Sequence, residues 1–282
     1  MKTLSVIKKD MEFNKGLAAL IEALKNIAVA QYRMLEQKIK TFEKFQHIVE
    51  GFFDFIDFSQ GSHPFLSSQD RPQLVVAVTS DSGLLGGLNM QVVSAAADEL
   101  EQHQGTMVVI GERGKMYARE FSVPFVGFPG IQDEERLSQA LQMRDYLMKR
   151  IVGGEFGDLK VVYPRPVSFT VQRVETVTFL PFRHAPAQGQ SLGRGVKDIL
   201  LESSLDDCIG YLVTLWVGQR LSEIFGLSRL AEFAARYVHL EESLHKLKEM
   251  DTSTRLQYFR VRHEVIDRNM RELFSARLLY TH

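Results

Sequence analysis

Residues 17–35 read LAALIEALKNIAVAQYRML and contain neither proline nor glycine. Apolar residues recur here with heptad spacing, and the same spacing extends over residues 11–58, where proline is absent. One heptad line consists of Ile21, Ala28, Leu35, Phe42, Val49 and Ile56, and its companion consists of Leu17, Leu24, Gln31, Lys38, Phe45 and Phe52. Because ten of these twelve positions are apolar, the pattern predicts one long helix with a coiled-coil seam.

The C-terminal third predicts a second long helix, because no proline occurs after Gly195. Its heptad lines, interrupted at Asp251 and Thr254, are formed by Leu230, Tyr237, Leu244, Tyr258 and Val265, and by Leu240, Leu247 and Val261. A helix over residues 203–279 would be roughly 110 Å long at ~1.5 Å per residue. Helices of this length make sense when they pack on each other or inside a larger assembly.

The middle of the chain predicts an α/β domain. Apolar runs indicate strands at residues 74–79, 107–110 and 159–163, and alternation of apolar with polar residues indicates a half-exposed strand at residues 168–180. Helical patterns occur at residues 88–102 and 133–152, with another helical stretch after residue 114. Such alternation is typical of a Rossmann-like sandwich. The Gly- and Pro-containing residues 183–195 would join it to the last helix. We therefore predict an antiparallel coiled coil of long N- and C-terminal helices with an inserted α/β domain, in three segments: 1–58, 73–181 and 196–282.

Composition is that of an ordinary folded protein. Hydrophobic residues make up 45% of the chain, charged residues 24%, and the net charge is −1, so the totals give no reason to expect nucleic acid as a partner. The single Cys208 excludes an intrachain disulfide. The basic N-terminus lacks the apolar core of a signal peptide, and no apolar run is long enough to span a bilayer. We therefore expect any membrane association to be peripheral, through partners.

The turn after the first strand is the strongest candidate for a ligand loop. It reads TSDSGLLGGLN over residues 79–89. Glycines before a helix N-terminus can bind phosphate, but neither G-x-G-x-x-G nor G-x-x-x-x-G-K-[ST] is present. GERGK at residues 111–115 approaches the second pattern, with Met116 where a magnesium-binding hydroxyl is required. The pattern favours a structural turn over a nucleotide site, and the turn is built on Asp81, Gly83, Gly86, Gly87 and Asn89.

Other catalytic and metal patterns are missing from the sequence. The eight histidines show no H-E-x-x-H spacing, and Cys208 has no neighbouring Cys or His. The serines at positions 80 and 82 are not part of a G-x-S-x-G elbow. We expect no metal, no cofactor and no catalytic residue, which disfavours an enzyme that uses the α/β domain to bind a nucleotide.

A basic tract near the C-terminus allows two interpretations. It consists of Arg255, Arg260, Arg262, Arg268, Arg271 and Arg277, among Glu264, Asp267 and Glu272. In the first interpretation it is a solvated helix face with the i,i+4 pairs Glu264–Arg268 and Asp267–Arg271. In the second it is a basic helix tip that contacts acidic loops of a partner.

Motifs at both of these places resemble the γ subunit of F-type ATP synthases. The family's S/T-D-x-G-L-C-G-G-x-N motif matches SDSGLLGGLN at residues 80–89, with Ser82 in place of Arg and Leu85 in place of Cys. The family's two C-terminal blocks map without a gap onto Ala231, Glu232, Ala235, Arg236, Tyr237 and Leu240, and onto Tyr258, Arg262, Ile266, Met270, Glu272 and Leu273. Phe259, His263, Asp267 and Asn269 stand where the family has Asn, Gln, Thr and Glu. The likeness covers most of the chain.

The resemblance implies an architecture and a set of partners. The two helices would form the coiled coil that turns inside a hexamer of ATPase α and β subunits. The α/β domain would contact the ε subunit and the membrane rotor ring, at the cytoplasmic face of the membrane. The chain would transmit torque, while ATP chemistry takes place in the hexamer. Contacts with the β subunit would involve Leu24, Arg260, Arg262, His263 and Asp267. A γ-like paralogue in a variant rotary ATPase or related hexameric motor fits the same pattern.

Overall fold

A computed structural model describes residues 3–53, 58, 61–67, 70–121, 123–183 and 203–279, apart from the side chains of residues 39–50, 52, 278 and 279. Its elements, in chain order, are α1 Leu4–Phe53, β1 Gln73–Val78, α2 Leu88–Gln102, β2 Gly105–Ile110, α3 Glu112–Ala118, β3 Phe125–Phe128, α4 Arg136–Val152, β4 Asp158–Pro166, β5 Gln172–Leu180 and α5 Leu205–Leu279. The predicted fold class is therefore confirmed: two long terminal helices enclose an α/β region in sequence.

The strands form one mixed sheet in the order β3-β2-β1-β4-β5. Strands β1 to β4 run parallel to their neighbours, and β5 is antiparallel to β4. Every residue of β1 is buried, as expected for a central strand covered on both faces. Alternate residues point to opposite faces, so Leu74, Val76 and Val78 pack with α4 and α5, whereas Val75 and Ala77 pack with α2.

Strand β3 was missing from the sequence prediction. It has only four residues, and the sequence places Pro124 and Pro129 directly at its two ends. So short a run gives no usable alternation, because the period-2 pattern needs several residues to stand out. The strand exists because the edge of β2 supplies hydrogen-bonding partners, with Met107 registered on Phe125 and Ile110 on Phe128.

The chain divides into two compact units, one formed by Met1–Ala28 and Tyr237–His282 and the other by Val29–Arg236. In the first unit, Ile21 of α1 packs with Leu240, Leu244 and Leu247 of α5. In the second, Leu35 packs with Leu230 and Phe233. Within each unit α1 therefore pairs with α5, as the heptad lines predicted.

The first unit shows the antiparallel direction directly. Lys25 Nζ lies 2.7 Å from Glu241 Oε2, while Lys8 and Arg255 line one common groove farther along. Residue numbers thus fall along α1 as they rise along α5. We call this contact the α1–α5 seam.

The heptad lines themselves are partly confirmed. Ile21, Ala28 and Leu35 are buried, and Ile7 extends their line toward the N-terminus. On the companion line Leu24 is half-buried, but Gln31 and Lys38 are exposed. The remaining predicted members of both lines, Phe42, Phe45, Val49, Phe52 and Ile56, lie outside the residues whose side chains are described.

The start of α1 differs from the start of the heptad pattern in the sequence. Helix α1 begins at Leu4, seven residues earlier than expected, because the chain before residue 11 contains no proline or glycine and Ile7 continues the buried line. The described part of α1 ends at Phe53, and residues 54–57 lie outside the described residues. Most of the predicted loop at 183–195 lies outside the described residues. The three segments 1–58, 73–181 and 196–282 stay a prediction.

Candidate functional site

The turn after β1 is held by the side chain of Asp81. Its Oδ1 accepts hydrogen bonds from the backbone N–H of Glu112, at 2.8 Å, and of Gly130, at 3.1 Å. Those two residues follow β2 and β3 respectively. One carboxylate therefore ties together the loops at the carboxyl ends of three parallel strands, which is the edge where ligands bind in many α/β proteins.

Asn89, at the start of α2, closes the other end of the turn. Its Oδ1 accepts from the backbone N–H of Ser80 at 3.1 Å, and its Nδ2 donates to Ser80 Oγ at 2.9 Å. Both residues are buried. The polar atoms of Asn89 are thus bonded inside the turn, and the same pair fixes where α2 begins relative to β1.

The glycines of this turn serve the backbone path. Gly86 and Gly87 have φ values of 60° and 92°, in the left-handed region that glycine adopts without strain. Leu84 shares that conformation at φ 65°, which is uncommon for a residue with a side chain. At Gly83 an added Cβ would lie 3.3 Å from the guanidinium of Arg113. The turn therefore follows a compact path, and its residues Leu84, Gly86 and Gly87 are exposed.

Apolar residues anchor the same turn to α5. Leu85 and Leu88 are buried against Ala231 and Ala235. The small alanines let the turn approach the helix closely. The position where the family usually has Cys is thus occupied here by Leu85, a core residue that links the α/β sheet to the long helix.

The loop after β2 offers little to a phosphate. Lys115 Nζ lies 2.6 Å from Glu112 Oε1, so its charge is compensated locally. The backbone N–H of Arg113 donates to Ser80 O at 3.0 Å. Among the described residues no group of three or more His, Cys, Asp or Glu could hold a metal ion.

The predicted β-subunit contacts fall in two places on the first unit. Leu24 is half-buried and packs on the cluster of Ile21 and Leu240 in the α1–α5 seam. Arg260, Arg262, His263 and Asp267 are exposed and lie about twenty residues farther along α5, which corresponds to ~30 Å along a helix. The structure therefore groups four of the five residues and leaves Leu24 apart from them.

The four exposed residues lie at or just before the point where α5 extends beyond its partner helix. Lys25 pairs with Glu241, and equal numbers of residues along the two antiparallel helices bring Leu4, the first residue of α1, opposite Arg262. Residues 263–279 of α5 therefore extend beyond the described part of α1. We call them the α5 overhang. Its exposed apolar side chains are Ile266, Met270, Leu273 and Phe274, with exposed fractions of 45, 49, 67 and 59%.

The ion pairs predicted for this tract are not the ones found. Arg271 Nε donates to the backbone oxygen of Asp267 at 3.2 Å rather than to its carboxylate, and no contact joins Glu264 to Arg268 in the described part of the chain. Arg255 instead pairs with Asp251 at 2.9 Å. Exposed charges gain little from pairing because water already solvates them, so the basic side chains of the overhang stay accessible.

A buried ion cluster on α5 was missed by sequence reasoning. The side chain of Glu232 is only 5% exposed and accepts from Arg236 Nη2 at 2.6 Å and from Arg229. Arg229 also reaches Asp133, with Nε 2.9 Å from Oδ1. The spacing Arg229, Glu232, Arg236 places the three side chains on one helix face. That spacing was the available signal; the partner Asp133, which precedes α4, has no signal in the sequence.

A family model described as ATP synthase matches residues 3–277, which is nearly the whole chain. The chain belongs to the ATP synthase γ-chain family. This confirms the resemblance carried by the turn motif and the C-terminal blocks.

Individual relatives of the γ-chain family are distant in sequence but match over most of the chain. The ATP synthase gamma chain of Clostridium beijerinckii is 23% identical over 96% of this chain and 95% of its own. That of Chlorobium phaeobacteroides is 25% identical over 76% of each. A chain from the cryo-EM structure of the Euglena gracilis mitochondrial ATP synthase superposes with a TM-score of 0.69 at 16% identity, covering 98% of this chain and 93% of that one. The shared fold is thus that of γ chains from end to end.

No helix among the described residues is long and apolar enough to cross a membrane. The longest helix, α5, has 75 residues, and charged residues interrupt its apolar ones along most of its length outside residues 208–219. The first part of α5 packs in the core of the second unit, and its C-terminal part is exposed.

Proposed function

We propose that this chain is the central rotor shaft of an F-type ATP synthase or ATPase, and that it transmits torque between the catalytic α/β hexamer and the membrane ion-driven ring. The γ-chain family supplies the context. The observation that carries the proposal is the α5 overhang, a helix end that extends past its only partner in the first unit.

The α5 overhang requires a binding partner on physical grounds. A single helix of about seventeen residues is marginally stable in water. Four of its large apolar side chains are exposed at fractions between 45 and 67%, far more than folding of the chain demands. A surrounding wall of partner subunits would bury these side chains and keep the helix straight, as the central cavity of a hexamer does for a shaft.

The basic residues beside the overhang supply the contact with the β subunits. Arg260, Arg262 and His263 are exposed, and Arg262 occupies the position of the family's arginine. A guanidinium can hold a carboxylate through two parallel hydrogen bonds. Asp267 contributes less, because it carries the wrong charge for an acidic loop. Leu24 acts indirectly, since it packs in the α1–α5 seam and keeps the two helices together.

The α/β domain serves as the foot of the shaft and contacts the ε subunit and the membrane ring. It carries no catalytic site in this proposal. Asp81 and Asn89, which could have addressed a ligand at the sheet edge, are instead hydrogen-bonded to the backbone of the same domain. ATP chemistry belongs to the hexamer, and the chain lies at the cytoplasmic face of the membrane as a peripheral subunit.

A γ-like shaft in a variant ion-pumping ATPase is the second candidate. It requires the same overhang and the same foot, so the two machines differ in their membrane part and not in the features described for this chain.

A nucleotide-binding enzyme is disfavoured because Asp81 and Asn89, in the turn after β1, are hydrogen-bonded to the backbone of their own domain. Equilibrium binding of ATP, ADP and NAD to the isolated chain should give no saturable signal at physiological concentrations. A micromolar Kd would support the enzyme hypothesis instead.

The proposal is tested by assembling the chain with α and β subunits and measuring whether the chain rotates during ATP hydrolysis. Cys208 is the only cysteine in the sequence and is partly accessible, so a probe can be attached there. We expect ATP hydrolysis to drive rotation of the probe. The matched control is a chain that ends at residue 262, which lacks the overhang and should assemble poorly. An α/β complex that hydrolyses ATP at the same rate without the chain, with no rotation of the probe in its presence, would overturn the proposal.

A further inference from the structure

Both helices of the α1–α5 seam carry a polar residue beside one groove of the first unit. On α1, Asn14 lies one heptad after Ile7 and one before Ile21, and it is only half-buried although those two residues are buried. On α5, Asp251 lies one heptad after the buried Leu244 and is also half-buried. Burying an amide or a carboxylate without partners is unfavourable, so apolar packing stops here. The break in the heptad line at Asp251 therefore coincides with a gap in the seam.

The gap is a groove of about 410 Å³ between the two helices. Ligand pockets in proteins typically measure ~300–1,000 Å³, so this groove is large enough for a small molecule. Its apolar part consists of Met11, Ala18 and Leu247. Ala18 and Leu247 also pack in the hydrophobic cluster of the seam. The floor of the groove is therefore continuous with the core of the coiled coil.

Charged side chains surround this apolar floor. The lining includes four cations and two carboxylates, and thus has a net charge of +2: Lys8, Lys15, Lys248 and Arg255, with Glu12 and Asp251. Arg255 Nε lies 2.9 Å from Asp251 Oδ2, so these two charges compensate each other. In the part of the chain that the structure describes, none of the three lysines forms an ion pair. Their positive charge is therefore available to an anion.

The gap is short and closed at both ends. Its lining on α1 extends from Lys8 to Ala18, which corresponds to ~15 Å along a helix. Ile7 lies before this segment and Ile21 after it, and both are buried. The seam is thus packed again on either side, so the dimensions fit a small molecule held between the two helices.

We propose that this groove binds an amphipathic organic anion, that is, a carboxylate, sulfonate or phosphate group on an apolar body. The body would cover Met11, Ala18 and Leu247 and remove their surface from water. The anionic group would contact the ammonium groups of Lys15 and Lys248, because hydrogen bonds between ionised groups are the strong ones.

The same lining disfavours nucleotides, which are anions with a polar body. The base and ribose carry hydrogen-bonding groups, and burying them against Met11, Ala18 and Leu247 without partners is unfavourable. The site goes beyond the proposed shaft function, because all of its residues belong to the first unit of this chain. A ligand in the groove contacts α1 and α5 together, so it should stabilise their pairing.

The test is isothermal titration calorimetry of the whole isolated chain with three probes, the two amphiphiles being kept below the concentrations at which they form micelles. Decanoate has both the anionic group and the apolar body. Pyrophosphate has the anionic charge alone, and decyltrimethylammonium has the same body with the opposite charge. We expect saturable binding of one decanoate per chain, and a Kd at least about tenfold higher for each of the other two probes, because each lacks half of the recognised chemistry.

Paired variants locate the ligand in the groove. Ala18→Phe fills the apolar part and should raise the Kd for decanoate at least about tenfold, whereas Ala19→Phe, at an exposed position outside the groove, should leave it unchanged. Lys248→Gln removes one cation and should raise that Kd about fivefold. Its control is Lys246→Gln, which removes an exposed lysine that does not line the groove. Circular dichroism should show all four variants folded.

Several results would overturn the proposal. Decyltrimethylammonium that binds as tightly as decanoate would show adsorption to an apolar surface without recognition of charge. Equally tight binding of pyrophosphate would show a simple anion site, and an unchanged Kd for decanoate in Ala18→Phe or Lys248→Gln would place the ligand elsewhere. The absence of saturable decanoate binding would show that the groove holds only solvent. None of these results bears on the shaft function, which the rotation of a probe on Cys208 tests separately.

Discussion

The two ends of helix α5 differ in what their apolar residues do. In its first part, residues 205–236, Ile209, Val217 and Phe225 are buried in the core that they share with the sheet. In the α5 overhang, Leu273 and Phe274 are exposed at 67 and 59%. Large apolar residues make up similar fractions of the two ends, 14 of 32 residues in the first part and 7 of 17 in the overhang, so composition does not separate them. The first part therefore stabilises the fold of this chain, whereas the apolar side chains of the overhang are exposed and available for contact with a partner.

The burial pattern of the first part supports this division. Residues 230–235 are all buried, and a helix that is covered on every side belongs to the core of a domain. Past Leu247, the residues of α5 whose burial is described are exposed except for the half-buried heptad positions Asp251, Thr254, Tyr258, Val261 and Val265. The heptad line thus continues from the part of α5 that faces α1 into the overhang, where Val265 lies beyond the described start of α1.

The largest effect is expected from Phe225→Ala in the packed part. The side chain is 1% exposed, so its removal leaves a cavity and should lower the free energy of unfolding by about 3–5 kcal/mol. Phe274→Ala is the matched control and should change it by no more than about 0.5 kcal/mol, because the side chain is already in water. Urea unfolding of the isolated chain measures both. Equal losses in the two variants would abolish the distinction between the two ends.

A somewhat smaller loss of unfolding free energy is expected from Glu232→Ala. The carboxylate is buried between Arg229 and Arg236, and removing it leaves two guanidinium groups close together with only Asp133 to compensate them. Breaking such a pair should cost about 3 kcal/mol. Glu242→Ala, an exposed acid on the same helix, provides the control. If Glu232→Ala unfolds at the parental urea concentration, the ion cluster does not stabilise the packed part.

The hydroxyl of Tyr163, on β4, should make the free energy of unfolding depend on pH in alkaline solution. Burial, together with the nearby carboxylate of Glu175, raises the pKa of Tyr163 to about 12; its O–H donates to Glu175 Oε2 at 3.1 Å. Because the folded pKa lies above the ordinary value of 10, this contribution to stability is complete below pH 10 and is lost as the pH rises through 12.

Unfolding measured between pH 9 and 12 tests this effect. Tyr163→Phe should be somewhat less stable than the parent at pH 9, because it lacks the hydrogen bond, and the gap should narrow as the pH rises. Tyr211→Phe, which removes a 71% exposed hydroxyl from α5, is the control and should follow the parent throughout. A gap that stays constant to pH 12 would contradict the assignment.

The sequence predicted the elements of the α/β domain better than the stagger of α1 against α5, that is, the offset that decides which residues of the two helices face each other. Helix α2 was expected at residues 88–102 and is found at Leu88–Gln102, because glycines at 86 and 87 and a clear apolar period define its start. The stagger of α1 against α5 cannot be obtained in this way. A heptad pattern fits its partner equally well after a shift of seven residues, and the choice is made by contacts such as Lys25 with Glu241. The overhang follows from that choice, so it was not predicted.

The turn after β1 shows the same limit. Its residues were identified from the motif, but the hydrogen bond from Gly130 to Asp81 joins positions 49 apart in sequence. Nothing near Gly130 indicates that its N–H needs an acceptor. Long-range pairs of this kind, like the one between Asp133 and Arg229, are produced by the packing of the sheet and become visible only in three dimensions.

The smallest effect on stability, and the most informative about function, is expected from Arg262→Ala. Arg262 is exposed and lies where α5 passes the start of α1, so its removal should change the free energy of unfolding by no more than about 0.5 kcal/mol. In the assembled complex its guanidinium would face acidic loops of the β subunits. These contacts must break and re-form as the shaft turns, so each should contribute about 1–3 kcal/mol, as a charged hydrogen bond does. We therefore expect Arg262→Ala to lower ATP hydrolysis or assembly while circular dichroism shows a folded chain.

Arg262→Lys should recover only part of the lost ATP hydrolysis or assembly, because lysine cannot form the bidentate pair. Asp267→Ala should have a smaller effect than either variant of Arg262. If complexes with Arg262→Ala assemble and hydrolyse ATP at the parental level, the β-subunit contact does not exist, and the basic tract is a solvated helix face.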